Sequence, residues 1–136
     1  MMTTSTFPTP SQAPAPTRPI FADGLFCTAV GGIATLFSEP ISMFMGLSTS
    51  LPLIVISIAT LLWGLFLLGW SRSRLVPRAL TWAVISMNAL WVTGSILLLL
   101  TNVVPLTDGG RGLVVLVGID VAALAIWQWR SLQVRH

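Results

Sequence analysis

The amino-acid sequence predicts an all-α membrane protein: an up-down-up-down bundle of four transmembrane helices, with both termini on the cytoplasmic side. Three observations carry this reading. Of 136 residues, 54% are apolar and only 8% are charged, whereas roughly 25% of a soluble domain is charged. So few charged groups cannot cover a core with polar surface in water. Four apolar runs are each long enough to cross a hydrocarbon layer about 30 Å thick at about 1.5 Å rise per residue. The connectors between them are short, which forces neighbouring helices to run antiparallel. No segment shows the sustained alternation of barrel strands.

Residues 1–19 carry five prolines among Thr, Ser and Ala, a composition that buries too little surface to offset its ordering entropy, and they read as a disordered cytoplasmic tail. The earliest charge is Arg18, so the segment that follows reads as a retained helix and not as a cleaved signal peptide. The first span covers residues 20–38. Ser38, Glu39 and Pro40 interrupt it, because the residue before a proline is pushed out of the helical region. The apolar stretch 41–47 is too short to cross and reads as a loop or short helix at the interface.

The second span covers residues 51–70, with Thr49 or Ser50 as its cap and Pro52 in its first turn. From Pro40 to Ser71 the chain has no charge. A basic connector, with Arg72, Arg74 and Arg78, leads to the third span at 79–101, and Pro77 suits the opening of that helix. Asn102, Pro105 and Asp108-Gly109-Gly110 supply turn chemistry. The fourth span, 112–129, contains one charge, Asp120, and residues 131–136 form a short cytoplasmic tail.

Orientation follows from the arginines, because short loops rich in Arg stay on the cytoplasmic side. Placing the 72–78 connector inside puts Arg18, Arg72, Arg74, Arg78, Arg130 and Arg135 inside, leaving Glu39, Asp108 and Arg111 outside. Trp70, Trp82, Trp127 and Trp129 then fall at the cytoplasmic ends of spans, where an indole buries its ring and keeps its N–H wet.

Two polar residues stand out. Asp120 lies halfway along the fourth span, where an acid costs about 2.5–3.5 kcal/mol on the insertion scale. It reads either as a proton or cation site or as a protonated acid hydrogen-bonded to a neighbouring helix. Asn88, near the middle of the third span, is predicted at the same depth, within reach of Asp120. Thr81, Asn88 and Ser95 recur every seven residues as a polar stripe facing the bundle interior, with Trp91 beside it. Asp23 reads as a rim acid, favoured near a helix N-terminus and able to reach Arg18 or headgroup water. Gly24, Thr28 and Gly32, and separately Gly118 and Ala122, form small-residue stripes that let helices approach closely, within the chain or against a second copy.

Other chemistries lack their residues. Seven scattered arginines make no phosphate-binding face, which excludes nucleic acid as a partner. The single cysteine, Cys27, cannot form an intramolecular disulfide or a Cys-x-x-Cys pair. His136 is the only histidine and is terminal, and Met43, Met45 and Met87 show no haem-ligating arrangement. Phosphate-loop, zinc-protease and serine-hydrolase motifs are absent from the sequence. The sequence therefore predicts neither an enzyme nor a cofactor.

The stretch Asn88-Ala89-Leu90-Trp91, followed by an apolar run to Leu100, and the ending Trp127-Gln128-Trp129-Arg130-Ser131-Leu132 resemble small bacterial four-helix inner-membrane proteins of uncharacterised activity. The resemblance covers the third and fourth spans and carries no site residues with it. In length and span count the chain also resembles the small multidrug resistance transporters. It departs from them in lacking their deep glutamate in the first span, which here holds only Asp23. The expected role is structural or accessory, acting through helix contacts in a lipid bilayer with a second copy or another membrane protein. The alternative is a proton-coupled transporter or channel subunit that uses Asp120 with Asn88.

Overall fold

The computed structural model describes residues 17–72 and 76–133. Most of the Pro-rich tail and the last three residues lie outside the described residues. Five helices follow one another: α1 (Arg18–Leu36), α2 (Ser38–Met45), α3 (Leu51–Ser71), α4 (Arg78–Thr101) and α5 (Asp108–Gln133), with no strand among the described residues. α1, α3, α4 and α5 are long and apolar enough to cross a membrane.

The helix ends differ from the sequence expectation where side chains intervene. α1 takes Arg18 and Pro19 into its first turn, because proline's missing N–H costs nothing there. It breaks at Phe37 (φ −112°, ψ 32°), so the interruption falls just before Ser38 and Pro40 sits in the first turn of α2. The short stretch after it is therefore helical, and it closes on Gly46 at φ +83°, a left-handed conformation that glycine adopts without a Cβ penalty. At the start of α3, Leu51 N–H donates to Thr49 Oγ1 at 3.2 Å, while Ser50 makes no side-chain capping bond.

α5 starts at Asp108, four residues before the predicted boundary. Thr107 is the reason: its hydroxyl oxygen accepts from Gly110 N–H at 3.0 Å and donates to Phe44 O, capping α5 while tying it to α2. Asp108 then stands in the first turn, where the helix dipole favours an acid. The predicted turn at Asp108-Gly109-Gly110 is thus the opening turn of α5. A Cβ on Gly109 would stand 2.5 Å from the Phe44 ring, and one on Gly110 2.8 Å from Met45 backbone. At the far end of the preceding connection, α4 ends on Asn102 in the left-handed region, φ 51°. Arg111 holds that end, donating to Asn102 Oδ1 at 2.6 Å and to Leu99 O at 2.9 Å.

Packing is uneven. α1 is the most enclosed of the long helices, with 33% of its span buried against 11% for α4 and α5. Its principal partner is α3, and α4 packs mainly on α5. The α1–α3 contact is backbone on backbone. A Cβ on Gly31 would lie 2.5 Å from Leu61 N, and one on Gly64 would lie 2.5 Å from Thr28 N. Such close approach replaces the hydrophobic driving force that is missing between helices in lipid. A small apolar core of Ile20, Leu67, Val76 and Val84, with Trp63 and Leu80 against it, joins α1, α3 and α4 near the N-terminal ends of α1 and α4.

Candidate functional site

Beside that apolar core lies a buried polar junction of three helices. Asp23 of α1 is 1% exposed, Asn88 of α4 is 4% exposed and Gln128 of α5 is fully buried. Asn88 Nδ2 and Gln128 Nε2 both donate to Asp23 Oδ2 at 2.7 Å. Asn88 Nδ2 also faces Gln128 Oε1 at 3.2 Å, which closes a ring. The other carboxylate oxygen, Asp23 Oδ1, accepts from the Cys27 thiol one turn along α1 at 3.3 Å.

Both 2.7 Å separations are those of well-formed N–H···O hydrogen bonds. With three donors the Asp23 carboxyl oxygens are satisfied by the chain itself, which is what permits the group to be buried. The arrangement fixes α1, α4 and α5 at one level, five residues from the start of α1 and five from the end of α5. Asp23 is therefore not the rim acid expected from its position. The packing of α4 and α5 over it removes it from water and from Arg18, which is exposed.

Asn88 is buried, as the polar stripe predicts, but it does not meet Asp120. Asn88 bonds instead to Gln128, which stands eight residues beyond Asp120 on α5, about 12 Å of helix rise. Thr81 is buried with its hydroxyl unpartnered, while the Ser95 hydroxyl turns back to Trp91 O at 2.8 Å. The stripe thus faces the interior only over its first two members.

Asp120 is exposed on the flank of α5. It lines an open groove between α1 and α5 with Ala22, Phe26, Ala123, Leu124 and Trp127. Among these neighbours only the Trp127 indole offers a hydrogen-bonding side-chain atom.

The small-residue stripes divide as well. Gly24 and Thr28 pack on α3, where a Cβ on Gly24 would lie 3.0 Å from Leu68 N. Gly32 faces open space and Gly31 takes the contact instead, so the stripe continues three residues on and not four. A Cβ on Gly118 would likewise meet nothing within 4 Å, and Ala122 is half-buried.

Gln128 and Cys27 are the members of the junction that residue-type reasoning passed over. The available signal for Gln128 was its place between two belt tryptophans, a polar side chain at the same distance from its helix end as Asp23. Among the described residues, no group of three or more His, Cys, Asp or Glu gathers to hold a metal.

Comparison with protein-family models, curated proteins and solved structures found no match to this chain. Its fold and composition define the class: an all-α protein with four helices long and apolar enough to cross a membrane, as in a multi-pass membrane protein. Three of those helices are locked by a buried carboxylate–amide ring.

Proposed function

We propose that the chain is a small bacterial inner-membrane protein with a structural or accessory role, exercised through helix–helix interaction in the bilayer and without catalysis. One observation carries this reading. The junction engages Asp23, Asn88 and Gln128 in holding α1, α4 and α5 together, while the outward surface retains Asp120 at mid-span and the uncovered glycines Gly32, Gly94 and Gly118. Small residues on an outer face admit another helix at close range, and an acid in hydrocarbon calls for a partner.

The finer architecture belongs to the same reading. Gly24 meets Leu67 and Leu68 while Gly31 meets Ser57 and Leu61, and Asn88 meets Gln128 while Leu99 meets Arg111. Both registers run in opposite directions, which supports an up-down-up-down order, and the arginine bias supports cytoplasmic termini.

The test is photocrosslinking in the native membrane from Gly32, Gly94 and Gly118, each replaced singly by a photoreactive residue. Discrete protein adducts from at least one position are expected. Lipid adducts alone from all three would overturn the proposal.

A second reading, a proton-coupled transporter or channel subunit, draws on the groove beside Asp120. It has to work without Asn88, whose amide is engaged by Asp23 and Gln128. Its test is pH-driven uptake into reconstituted vesicles, which Asp120→Asn should abolish; uptake unchanged by that substitution sinks it.

A further inference from the structure

Among the described residues, no basic side chain of the four long helices lies within two turns of Asp120 along its own helix or at mid-span on another. Asp120 stands nine residues after Arg111 and ten before Arg130, which at 1.5 Å per residue is about 14 and 15 Å of helix rise. Arg111 is occupied at the end of α4 by Asn102 and Leu99, and Arg130 lies in the last turn of α5. α3 contains no charged residue, α4 has only Arg78 at its first position, and α1 has Arg18 at its first position and the engaged Asp23.

No span of this chain therefore presents a basic side chain at the depth of Asp120. A second copy cannot supply one either, because it brings the same helices and would set acid against acid. Ionisable residues inside a membrane pair with one another or line an aqueous path. The groove is apolar apart from Asp120 and the Trp127 indole. It is also shallow and open to the outside, with the small residues Ala22 and Ala123 in its lining, a shape that admits a helix ridge more readily than it encloses a small molecule.

We propose that the α1–α5 groove carrying Asp120 seats a transmembrane helix of another membrane protein, one that presents a Lys or Arg side chain at mid-depth. This rests on the helix-interaction reading above and names its partner by charge. Asp120 supplies the counter-charge. Phe26 and Trp127 line the same groove, and aromatic rings favour a cation in a desolvated setting, while Ala22 and Ala123 set the distance of approach.

The test uses the full chain in lipid vesicles with synthetic transmembrane peptides of Leu and Ala that carry Lys, Arg, Gln or Leu at the central position. Association is read by energy transfer to a fluorophore at the C-terminus of the protein. The Lys and Arg peptides should associate at least tenfold more tightly than the Leu peptide. Asp120→Asn should remove that preference, and Ala123→Trp should block the groove while Asp120 remains. Because Asp120 and Ala123 are exposed, these variants are expected to keep native Cys27 protection, which is measured alongside.

Equal association of all four peptides overturns the proposal, as does a preference that survives Asp120→Asn. Asp120-dependent binding of tetraphenylphosphonium without peptide selectivity overturns it in favour of a small cation. Asp120-dependent self-association without peptide selectivity overturns it in favour of a second copy. Crosslinks from the outward glycines, obtained without any use of Asp120, would leave the broader helix-interaction reading standing if this one falls.

Discussion

Gln128 Nε2 donates to Asp23 Oδ2 across 2.7 Å, although 105 residues separate the two in the chain. The bond closes the first span onto the last and makes the fold depend on a polar contact at the level of the aromatic belt. Asn88 completes it from α4. Because the carboxylate is buried, loss of one donor leaves it under-satisfied, which costs more than the bond itself contributes.

Replacing Gln128 or Asn88 by alanine is expected to destabilise the protein by about 1–3 kcal/mol each. The effects of the two should not add, because they share an acceptor. A double-mutant cycle in detergent-solubilised protein, read by helix content against denaturant, checks this. Strict additivity would show that the ring does not act as a unit.

Cys27 offers an internal reporter, being buried and the only cysteine of the chain. Labelling by a membrane-permeant maleimide should be slow in the native protein and faster by an order of magnitude or more in Gln128→Ala, as opening of the junction exposes the thiol. Equally slow labelling in both proteins would mean that α1 stays covered without the ring.

Gly31→Ala and Gly64→Ala are each expected to destabilise the α1–α3 contact by about 1–3 kcal/mol, the usual range for overpacking. The methyl added at Gly31 meets only backbone, and the one added at Gly64 meets Thr28 N and Thr28 Oγ1, both at 2.5 Å. Gly32→Ala is the matched control: nothing lies within 4 Å, and alanine is the better helix former by about 1 kcal/mol. Thermal stability in detergent should fall for the first two and hold or rise for the third.

The Arg111 contact predicts a local effect. Arg111→Ala removes both bonds that hold the end of α4, and hydrogen exchange should accelerate over the last turn of α4 while Cys27 labelling stays slow. Asn102→Ala should do more than Asn102→Gly, because alanine both loses the bond and sits at positive φ. The two variants behaving alike would argue against a left-handed end to α4.

Much of the architecture was legible because hydrophobicity accumulates along the chain. The uncharged run 40–71 marks α3 whatever surrounds it, and Pro19, Pro52 and Pro77 mark helix starts for local steric reasons. The start of α5 was less legible: Asp108-Gly109-Gly110 has turn composition, and only the Thr107 bridge to Phe44 and the closeness of α2 make it helical. In the same way, Gly31 and Gly32 are neighbours of one residue type, yet a rotation of about 100° about the helix axis separates contact from open space.

By itself, the sequence determined that the chain has four apolar helices, where three of them begin and which polar residues lie within them, since these follow from composition and local stereochemistry. The tertiary structure alone decided which polar residues meet. Depth counted from helix ends would place Asn88 opposite Asp120. The axial offset and rotation of α4 against α5 instead give Asn88 to Asp23 and Gln128, and leave Asp120 facing out. That offset comes from packing distributed over whole helices, through the glycine contacts of α1 with α3, the apolar core and the clamps at Thr107 and Arg111. No single stretch of residues encodes it.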